Sequence, residues 1–171
     1  MKDLDDILTA IYRRDLSILA RSTPKDVNLT DDDGRTPLMH SILAENSSAD
    51  LVKLLLARGA DPNIHDAGQK WTALHFAARN QNPDIVHALL KAGAGVDSID
   101  VFGNTPLWRA VSHRPANPTL ISDLLSFGAD PWKKNNYDVS PMDIARDTQQ
   151  KNIVLLFQNQ RPKKRVLDNE S

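Results

Sequence analysis

Cysteine is missing from all 171 residues of the chain, and its absence excludes several kinds of chemistry together. Without a thiol the protein cannot form a disulfide bond, use a thiolate nucleophile or ligate zinc through cysteine. Glycine occurs only seven times, mostly near predicted helix ends and turns, so no glycine-rich phosphate loop is indicated. A chain without cysteine fits a reducing compartment, and we expect a cytoplasmic protein.

Long apolar runs and an excess of charge of one sign are also missing. No apolar run approaches the ~20 residues needed to cross a bilayer, and the N-terminal segment lacks the apolar core of a signal peptide. The formal net charge is -1 at pH 7, so no overall field attracts nucleic acid or an anionic membrane. We therefore expect a soluble protein that binds neither nucleic acid nor membrane.

The usual markers of catalysis are missing as well. The five histidines are scattered, and no pair has the i, i+4 spacing with a nearby carboxylate that a helical metal site uses. No serine lies in a nucleophile-elbow motif. The sequence therefore predicts no enzyme activity, no metal site and no cofactor, and the histidines left without a catalytic role are His40, His65, His75, His87 and His113.

The chain does contain one unit that occurs several times. A Thr-led or Ser-led opening recurs after 36, 33 and 35 residues, and a Gly-Ala closing recurs after 34 and 35 residues. Two markers that keep one period around one intervening pattern predict a repeat protein. The openings are Thr36-Pro37-Leu38, Thr72-Ala73-Leu74, Thr105-Pro106-Leu107 and Ser140-Pro141-Met142, and the closings begin at Gly59, Gly93 and Gly128.

Each unit predicts two short helices. In one unit Thr36 is a good N-cap, Pro37 suits the first helical position, and Gly59 stands where a left-handed C-cap is expected. The units that open at Thr36 and Thr105 carry two more residues between their helices than the unit that opens at Thr72. Helices of about eight to eleven residues are too short to be stable alone in water, so stability must come from stacking.

We predict one domain over residues 1–160, with irregular repeats at both ends. In the first repeat, Pro24 is expected to stop the second helix. The outer face of the last repeat is expected to be polar, as suits a terminal cap that meets water, and it carries Arg146, Asp147, Gln149, Gln150 and Lys151. The predicted repeats are residues 3–30, 31–66, 67–99, 100–134 and 135–158.

The last eleven residues, 161–171, differ in composition from the repeats. They are polar and charged with little to bury, which predicts a disordered basic tail. The run from Arg161 to Arg165 resembles a short nuclear-import signal, and such basic runs also occur in solvated tails.

The repeated landmarks resemble the ankyrin repeat. The stretch Thr72-Ala73-Leu74-His75-Phe76-Ala77-Ala78 departs from the family's Thr-Pro-Leu-His-x-Ala-Ala opening only at the proline. The resemblance covers about residues 3–158 and implies an all-α solenoid of about five stacked helix-turn-helix repeats, caps included, with protruding finger loops. In other copies Met39, Trp108 and Asp143 replace the family histidine, which removes a hydrogen bond that ties the turn to the helix.

The resemblance also implies a function and a set of sites. Members of the family are overwhelmingly non-enzymatic, and they bind other proteins through the finger tips and the inner face of the first helices. Matched position by position, the finger sites are Asp32, Asp33, Arg35, Gln69, Trp71, Val101, Phe102, Asn104, Asn136 and Tyr137. The matching sites on the first helices are Leu43, Arg79, Asn80, Ser112 and His113.

Aromatic residues are only 5% of the chain, yet three successive fingers each carry one: Trp71, Phe102 and Tyr137. Since finger turns have little core to bury, we expect these rings to line one edge of the array and to contact a partner, because aromatics are enriched in interface hot spots. The alternative is that each ring packs on the next finger. Trp132 suits either role, Trp108 is expected to be structural, and the acidic run around Asp32 suits either a basic partner or a solvated turn.

These observations predict a protein-binding module, monomeric on its own, that docks one partner and blocks or positions it. The version we favour is a bacterial immunity protein that neutralises a toxin by covering its active site or substrate entry. One alternative is a eukaryotic or viral regulator, similar to kinase inhibitors or to proteins that sequester transcription factors. A second alternative, from another class, is an enzyme or a small-molecule sensor.

Overall fold

The computed structural model describes residues 3–113 and 115–160. Eleven helices follow one another in this part of the chain, and none of them is long and apolar enough to span a membrane. The helices are α1 Leu4–Arg13, α2 Leu16–Ala20, α3 Pro24–Val27, α4 Pro37–Leu43, α5 Ala49–Ala57, α6 Ala73–Arg79, α7 Pro83–Lys91, α8 Pro106–Ser112, α9 Pro118–Ser126, α10 Pro141–Asp147 and α11 Lys151–Gln158.

The first helix of a repeat begins where the sequence predicts, because the residues around its start satisfy the free backbone amides. In α4 the Met39 N–H donates to Thr36 Oγ1 over 3.3 Å, and in α8 the Trp108 N–H donates to Thr105 Oγ1 over 3.2 Å. Proline occupies the first helical position in α4, α8 and α10, where its missing N–H costs nothing. The predicted cap at Thr36 is therefore confirmed, and Thr105 caps α8 in the same way.

The helices form pairs, and the pairs stack into two layers. The first helices contact one another in the order α1, α4, α6, α8 and α10, and the second helices in the order α2, α5, α7, α9 and α11. Each first helix also packs on the second helix of its own repeat. The five stacked pairs confirm the predicted all-α solenoid of about five repeats.

The apolar core lies between neighbouring repeats. From the second repeat onward, each repeat buries a large apolar residue at one matching position in its first helix and at another in its second helix. Replacing a buried leucine at such a position with alanine typically costs about 2–5 kcal/mol. Because part of the contacts around each of these residues comes from the neighbouring repeats, no single helix pair buries its own apolar face. These positions, at most 2% exposed, are Leu38, Leu74, Leu107 and Met142 in the first helices and Leu55, Leu89, Leu124 and Phe157 in the second.

The finger loops share one turn that is built on a side chain. In each finger an Asp or Asn at the start accepts a hydrogen bond from the backbone N–H at the end of the turn. Such side-chain capping of the backbone is the reason these residue types favour turns. The donor and acceptor residues, 2.8 to 3.0 Å apart, are Arg35 with Asp31, Trp71 with Asp66, Asn104 with Asp100, and Val139 with Asn135.

Neighbouring fingers are joined by a backbone hydrogen bond at each step. Glycine allows two of these close approaches: an added Cβ would lie 2.7 Å from the Ala67 nitrogen at Gly34 and 2.9 Å from the Asn136 nitrogen at Gly103, and their φ angles are 74° and 77°. The fingers therefore form a coupled row of loops. The joining bonds run from Ala67 N to Asp33 O (2.8 Å), from Val101 N to Gln69 O (3.0 Å) and from Asn136 N to Phe102 O (3.0 Å).

Two glutamines hold the longer loop between α8 and α9. The Gln81 Oε1 accepts from the Asn117 N–H at 2.6 Å, and the Gln150 Oε1 accepts from the Ala116 N–H at 3.0 Å. The Gln150 amide also donates to the backbone oxygen of Val111 at 2.9 Å. The two repeats that flank the loop thus supply hydrogen bonds to it. Gln150 consequently points into the stack, which corrects the prediction that it lies on the outer face.

Two other predictions about the terminal repeats are wrong. Pro24 does not end the second helix, since α2 already ends at Ala20; it is the first residue of α3, which Thr23 caps. The outer face of the last repeat is not uniformly polar, because Val154 is half-buried there and Leu155 is 60% exposed. The predicted disordered tail and its basic run lie outside the described residues.

Candidate functional site

The finger tips carry apolar side chains that are open to solvent. Val101 is 41% exposed and Phe102 is 38% exposed on one finger, and Tyr137 is 69% exposed on the next. The two fingers are adjacent, since the Asn136 N–H donates to the Phe102 carbonyl oxygen. We call Val101, Phe102 and Tyr137 the finger-tip patch. Asp32, Asp33, Gln69 and Asn136 are also exposed on the fingers.

Trp71 is not part of this patch, which corrects the prediction that three aromatic rings line one edge. Its side chain is only 7% exposed, and its ring packs on Phe76 at a centroid distance of 5.0 Å. Trp71 precedes the N-cap residue Thr72, and Phe76 is the fourth residue of the helix that follows. An apolar pair at these two positions is a hydrophobic staple, a local signal that identifies Trp71 as a packing residue.

Asn104 is a second predicted site residue that the structure buries. It is 3% exposed, and its side-chain oxygen accepts a hydrogen bond from the Asn135 amide at 2.7 Å. Its side chain therefore links two fingers and is not available at the surface. Arg35 is half-buried and forms an ion pair with Asp33 at 3.2 Å.

The predicted residues on the first helices lie together at the C-terminal ends of α4, α6 and α8. Arg79, Asn80, Ser112 and His113 are exposed, and Leu43 is half-buried. The Asn80 amide also donates to the backbone oxygen of Ile42 at 3.3 Å, which ties its repeat to the preceding one. These residues therefore form a second accessible surface, at the helix ends away from the fingers.

Arg109 is a surface residue that the sequence reasoning missed. Its Nε donates to Asp100 Oδ2 at 3.1 Å, and its guanidinium lies 4.7 Å from the centre of the Trp71 ring and 5.3 Å from that of Trp108. A matching pair in an earlier repeat, Asp31 with His40, has its members nine positions apart, as Asp100 and Arg109 are. That repeated Asp spacing is the sequence signal for this ion pair.

The carboxylate of Asp100 is held in its charged form. Burial by itself would raise the pKa of Asp100, but hydrogen bonds from the Arg109 side chain and from the Asn104 and Phe102 backbone amides outweigh it and lower the pKa below the usual range. The Asp100 side chain is 0% exposed, whereas 18% of the Arg109 side chain is exposed. The pair thus presents its cation to solvent and buries its anion.

His75 has the structural role that the family resemblance implies. Its Nδ1 accepts from the Thr72 N–H at 3.2 Å, so the ring proton is on Nε2, which donates to the Asn104 carbonyl oxygen at 3.2 Å. Burial lowers the pKa of His75 to about 4, because a charged imidazole would lose its hydration. The neutral ring therefore links the turn to its own helix and to the next finger.

Tyr12, His40 and Asp31 form a hydrogen-bonded chain between the first two repeats. The Tyr12 hydroxyl lies 2.9 Å from His40 Nδ1, and His40 Nε2 lies 2.8 Å from Asp31 Oδ2. Burial would raise the pKa of Asp31, but hydrogen bonds from the Arg35 N–H and from His40 lower it overall.

Within residues 3–113 and 115–160, no three side chains of His, Cys, Asp or Glu are grouped so that they could hold a metal ion.

Comparison with known proteins matches the repeats. A family model described as Ankyrin repeats matches residues 7–100 and 41–135, with three copies found. The chain is 34% identical over 120 residues to the transient receptor potential channel pyrexia of Drosophila melanogaster, covering 70% of this chain and 12% of that protein. It is 27% identical over 167 residues to NF-kappa-B inhibitor delta of Mus musculus, covering 84% of this chain and 49% of that protein.

A third relative is the ankyrin repeat protein nuc-2 of Neurospora crassa, 31% identical over 163 residues, covering 76% of this chain and 15% of that protein. The chain thus spans at most about half the length of these three relatives. The shared part in each case is long enough to hold several repeats.

Proposed function

Because the chain belongs to the ankyrin-repeat family, we propose that it is a non-enzymatic module that binds one partner protein on its fingers and first-helix ends and blocks or positions that partner. Ankyrin repeats are protein-protein interaction modules, and this chain keeps the stacked helix pairs and the finger row of such modules. The proposal makes the protein a cytoplasmic one that is monomeric without its partner.

The exposed finger-tip patch is the observation that carries the proposal. Exposed apolar side chains on a loop contribute little to the stability of the fold, and such a patch is typical of a surface that a partner covers. Aromatic side chains are typical anchors of protein interfaces. The fingers are held by hydrogen bonds to each other, such as the one from Asn136 N to Phe102 O. A pre-ordered patch loses little conformational entropy on binding, which favours affinity.

Affinity capture tests the patch directly. The wild-type protein and a Phe102→Ala/Tyr137→Ala variant are used as baits in a lysate of the source organism. Losing two anchors at about 2 kcal/mol each weakens binding roughly a thousandfold, which is enough to lose a captured partner. We expect wild type to retain one near-stoichiometric partner and the double variant to lose it.

A matched control variant is Phe127→Ala. Phe127 is 40% exposed, nearly the same as Phe102, but it caps the C-terminal end of α9 among the second helices. Capture by this variant should equal that of wild type. The patch would be rejected if the double variant, shown to be folded by circular dichroism, captured the partner as well as wild type does.

Inhibition is the narrower form of the proposal that we favour. Inhibition in general is supported by the similarity to NF-kappa-B inhibitor delta. The bacterial-immunity version is supported by the exposed Asp32 and Asp33, whose charges would complement a basic toxin that acts on nucleic acid. The activity of the captured partner, measured alone and with an equimolar amount of this protein, tests it. Unchanged partner activity would leave positioning as the function.

A eukaryotic or viral regulator is the second candidate, favoured by the same inhibitor relative. This version makes the basic run in residues 161–171 an import signal. Localisation of the full chain and of a chain that lacks those residues separates the two versions in a nucleated cell. Loss of nuclear signal on deletion supports the regulator, and an unchanged distribution contradicts it.

A further inference from the structure

Two arginines lie over one buried indole on the first-helix side of the repeats. The guanidinium carbon of Arg109 is 4.7 Å from the centre of the Trp71 ring, and that of Arg79 is 5.1 Å from it. Arg79 is also 5.8 Å from the centre of the Phe76 ring. Contacts between cations and aromatic faces restrict both guanidinium groups, so they are ordered before any partner arrives.

The charges around this indole are unbalanced at the surface. Asp100 is fully buried and paired with Arg109. Asp66 is buried as well, and its Oδ1 accepts from the backbone amides of Gln69 and Trp71. No carboxylate of the described residues lies within 4.0 Å of the Arg79 guanidinium nitrogens. The accessible surface therefore presents a cation without a matching anion.

We propose that Arg79 and Arg109 bind an acidic segment of the partner protein, an assignment that rests on the proposed protein-binding function. A planar guanidinium recognises a carboxylate through two parallel N–H···O bonds, and a restricted arginine loses little entropy in forming them. Arg79 ends α6, and Ser112 ends the adjacent helix α8 with His113 after it, all of them exposed. An extended segment that crosses these helix ends places its Asp or Glu side chains mainly against Arg79, because Arg79 is more exposed than Arg109.

Nucleic acid fits the same cluster poorly. Arginines combined with aromatic rings also bind single strands, but there the bases stack on exposed ring faces. Here Trp71 is 7% exposed and Phe76 is 5% exposed, so neither ring offers a free face. The chain as a whole also has a net charge of -1, which provides no long-range attraction for phosphate backbones.

Selection from a random peptide library tests the proposal. The library is displayed on phage and selected on three proteins: wild type, Arg79→Gln, and Arg58→Gln as a matched control. Arg58 is an exposed arginine at the C-terminal end of α5, away from the Trp71 cluster. Peptides selected on wild type and on the control should be enriched in Asp and Glu, and the enrichment should disappear on Arg79→Gln. Affinity for one selected acidic peptide should fall about tenfold or more with Arg79→Gln.

The charge and the geometry are separated by Arg79→Lys, which keeps the cation but cannot form the paired hydrogen bonds. This variant should recover only part of the affinity, and thermal melting of all variants shows whether the fold is intact. Selected peptides without an acidic excess, or equal affinity of wild type and Arg79→Gln, would overturn the acidic-segment assignment and leave the proposed function standing. No enrichment on any protein would overturn the acidic-segment assignment, and the affinity capture described above decides the proposed function separately.

A fluorescent single-stranded oligonucleotide of thymidines is titrated into the same three proteins at physiological salt. No binding is expected. Binding to wild type that is lost in Arg79→Gln would assign the cluster to phosphate groups and overturn the assignment to a protein segment.

Discussion

Truncation of Trp71 to alanine should destabilise the fold strongly, even though the residue lies in a finger. The indole is 7% exposed and packs on the Phe76 and His75 rings at centroid distances of 5.0 and 6.1 Å. Removing a buried tryptophan or phenylalanine side chain typically costs about 3–5 kcal/mol. These contacts bridge the finger and the helix that follows it, so their loss weakens the central repeat.

Two further contributions to the cost of Trp71→Ala oppose each other. The contacts with Arg79 and Arg109 add about 0.5–1 kcal/mol each. The indole N–H is buried with no acceptor among the described residues, so its removal also relieves a penalty of about 1–3 kcal/mol. We therefore expect a net loss of about 3–4 kcal/mol, which lowers the melting temperature by roughly 10 °C in a domain of this size.

The measurement is urea denaturation followed by far-ultraviolet circular dichroism. Trp132→Ala is the matched control, because Trp132 is 39% exposed and its loss should cost clearly less stability than the loss of Trp71. The burial argument would be refuted if Trp71→Ala cost less than about 1 kcal/mol, or if both variants lost the same stability.

Three other substitutions test the finger row, the long loop and the buried histidine. Gly103→Ala should destabilise by about 1–2 kcal/mol in urea melts, because it combines a positive φ with a Cβ 2.9 Å from the Asn136 nitrogen, whereas Gly68→Ala, with nothing within 4 Å, should change little. Gln150→Ala should lower the free energy of unfolding by about 1–3 kcal/mol and speed amide hydrogen exchange in the loop between α8 and α9, since it leaves backbone groups unpaired. Unchanged exchange would contradict the role of Gln150 in holding this loop. His75 has a pKa of about 4 in the folded protein and is therefore neutral there, and above pH 6.5 the unfolded histidine is neutral as well, so stability does not depend on it. As pH drops from 6.5 towards 4 only the unfolded state gains the proton, and the free energy of unfolding falls by about 3 kcal/mol. A His75→Gln variant should lack that part of the acid sensitivity, and an identical pH profile would contradict it.

The helix starts and the repeat order could be predicted because their causes are local. Thr36 and Thr105 cap helices through bonds that span only three residues, and proline suits the position after each cap. A period kept by both opening and closing markers then predicts stacking, since such short helices need neighbours. The sequence does not define the role of Pro24, because a proline is compatible both with the end of one helix and with the start of the next.

The candidate site could be predicted only in part. Phe102 and Tyr137 are exposed on the finger tips, where the pattern of the family places variable residues. The finger position of Trp71 by itself indicates exposure, and only its staple partner Phe76 in the following helix identifies it as a buried residue. Asn104 was misplaced because its burial depends on Asn135, a residue 31 positions away on the next finger.

The amino-acid sequence by itself determined the repeat period, the paired helices, the caps and the family, because each depends on residues within one turn or one repeat of each other. Only the tertiary structure decided which surface residues remain free. The contact of Arg109 with the Trp71 ring, the Asn135 hydrogen bond that helps to bury Asn104 and the inward position of Gln150 all arise where one repeat packs on the next. Exposure in a solenoid is set by the neighbouring repeat, and a pattern within one repeat does not contain that information.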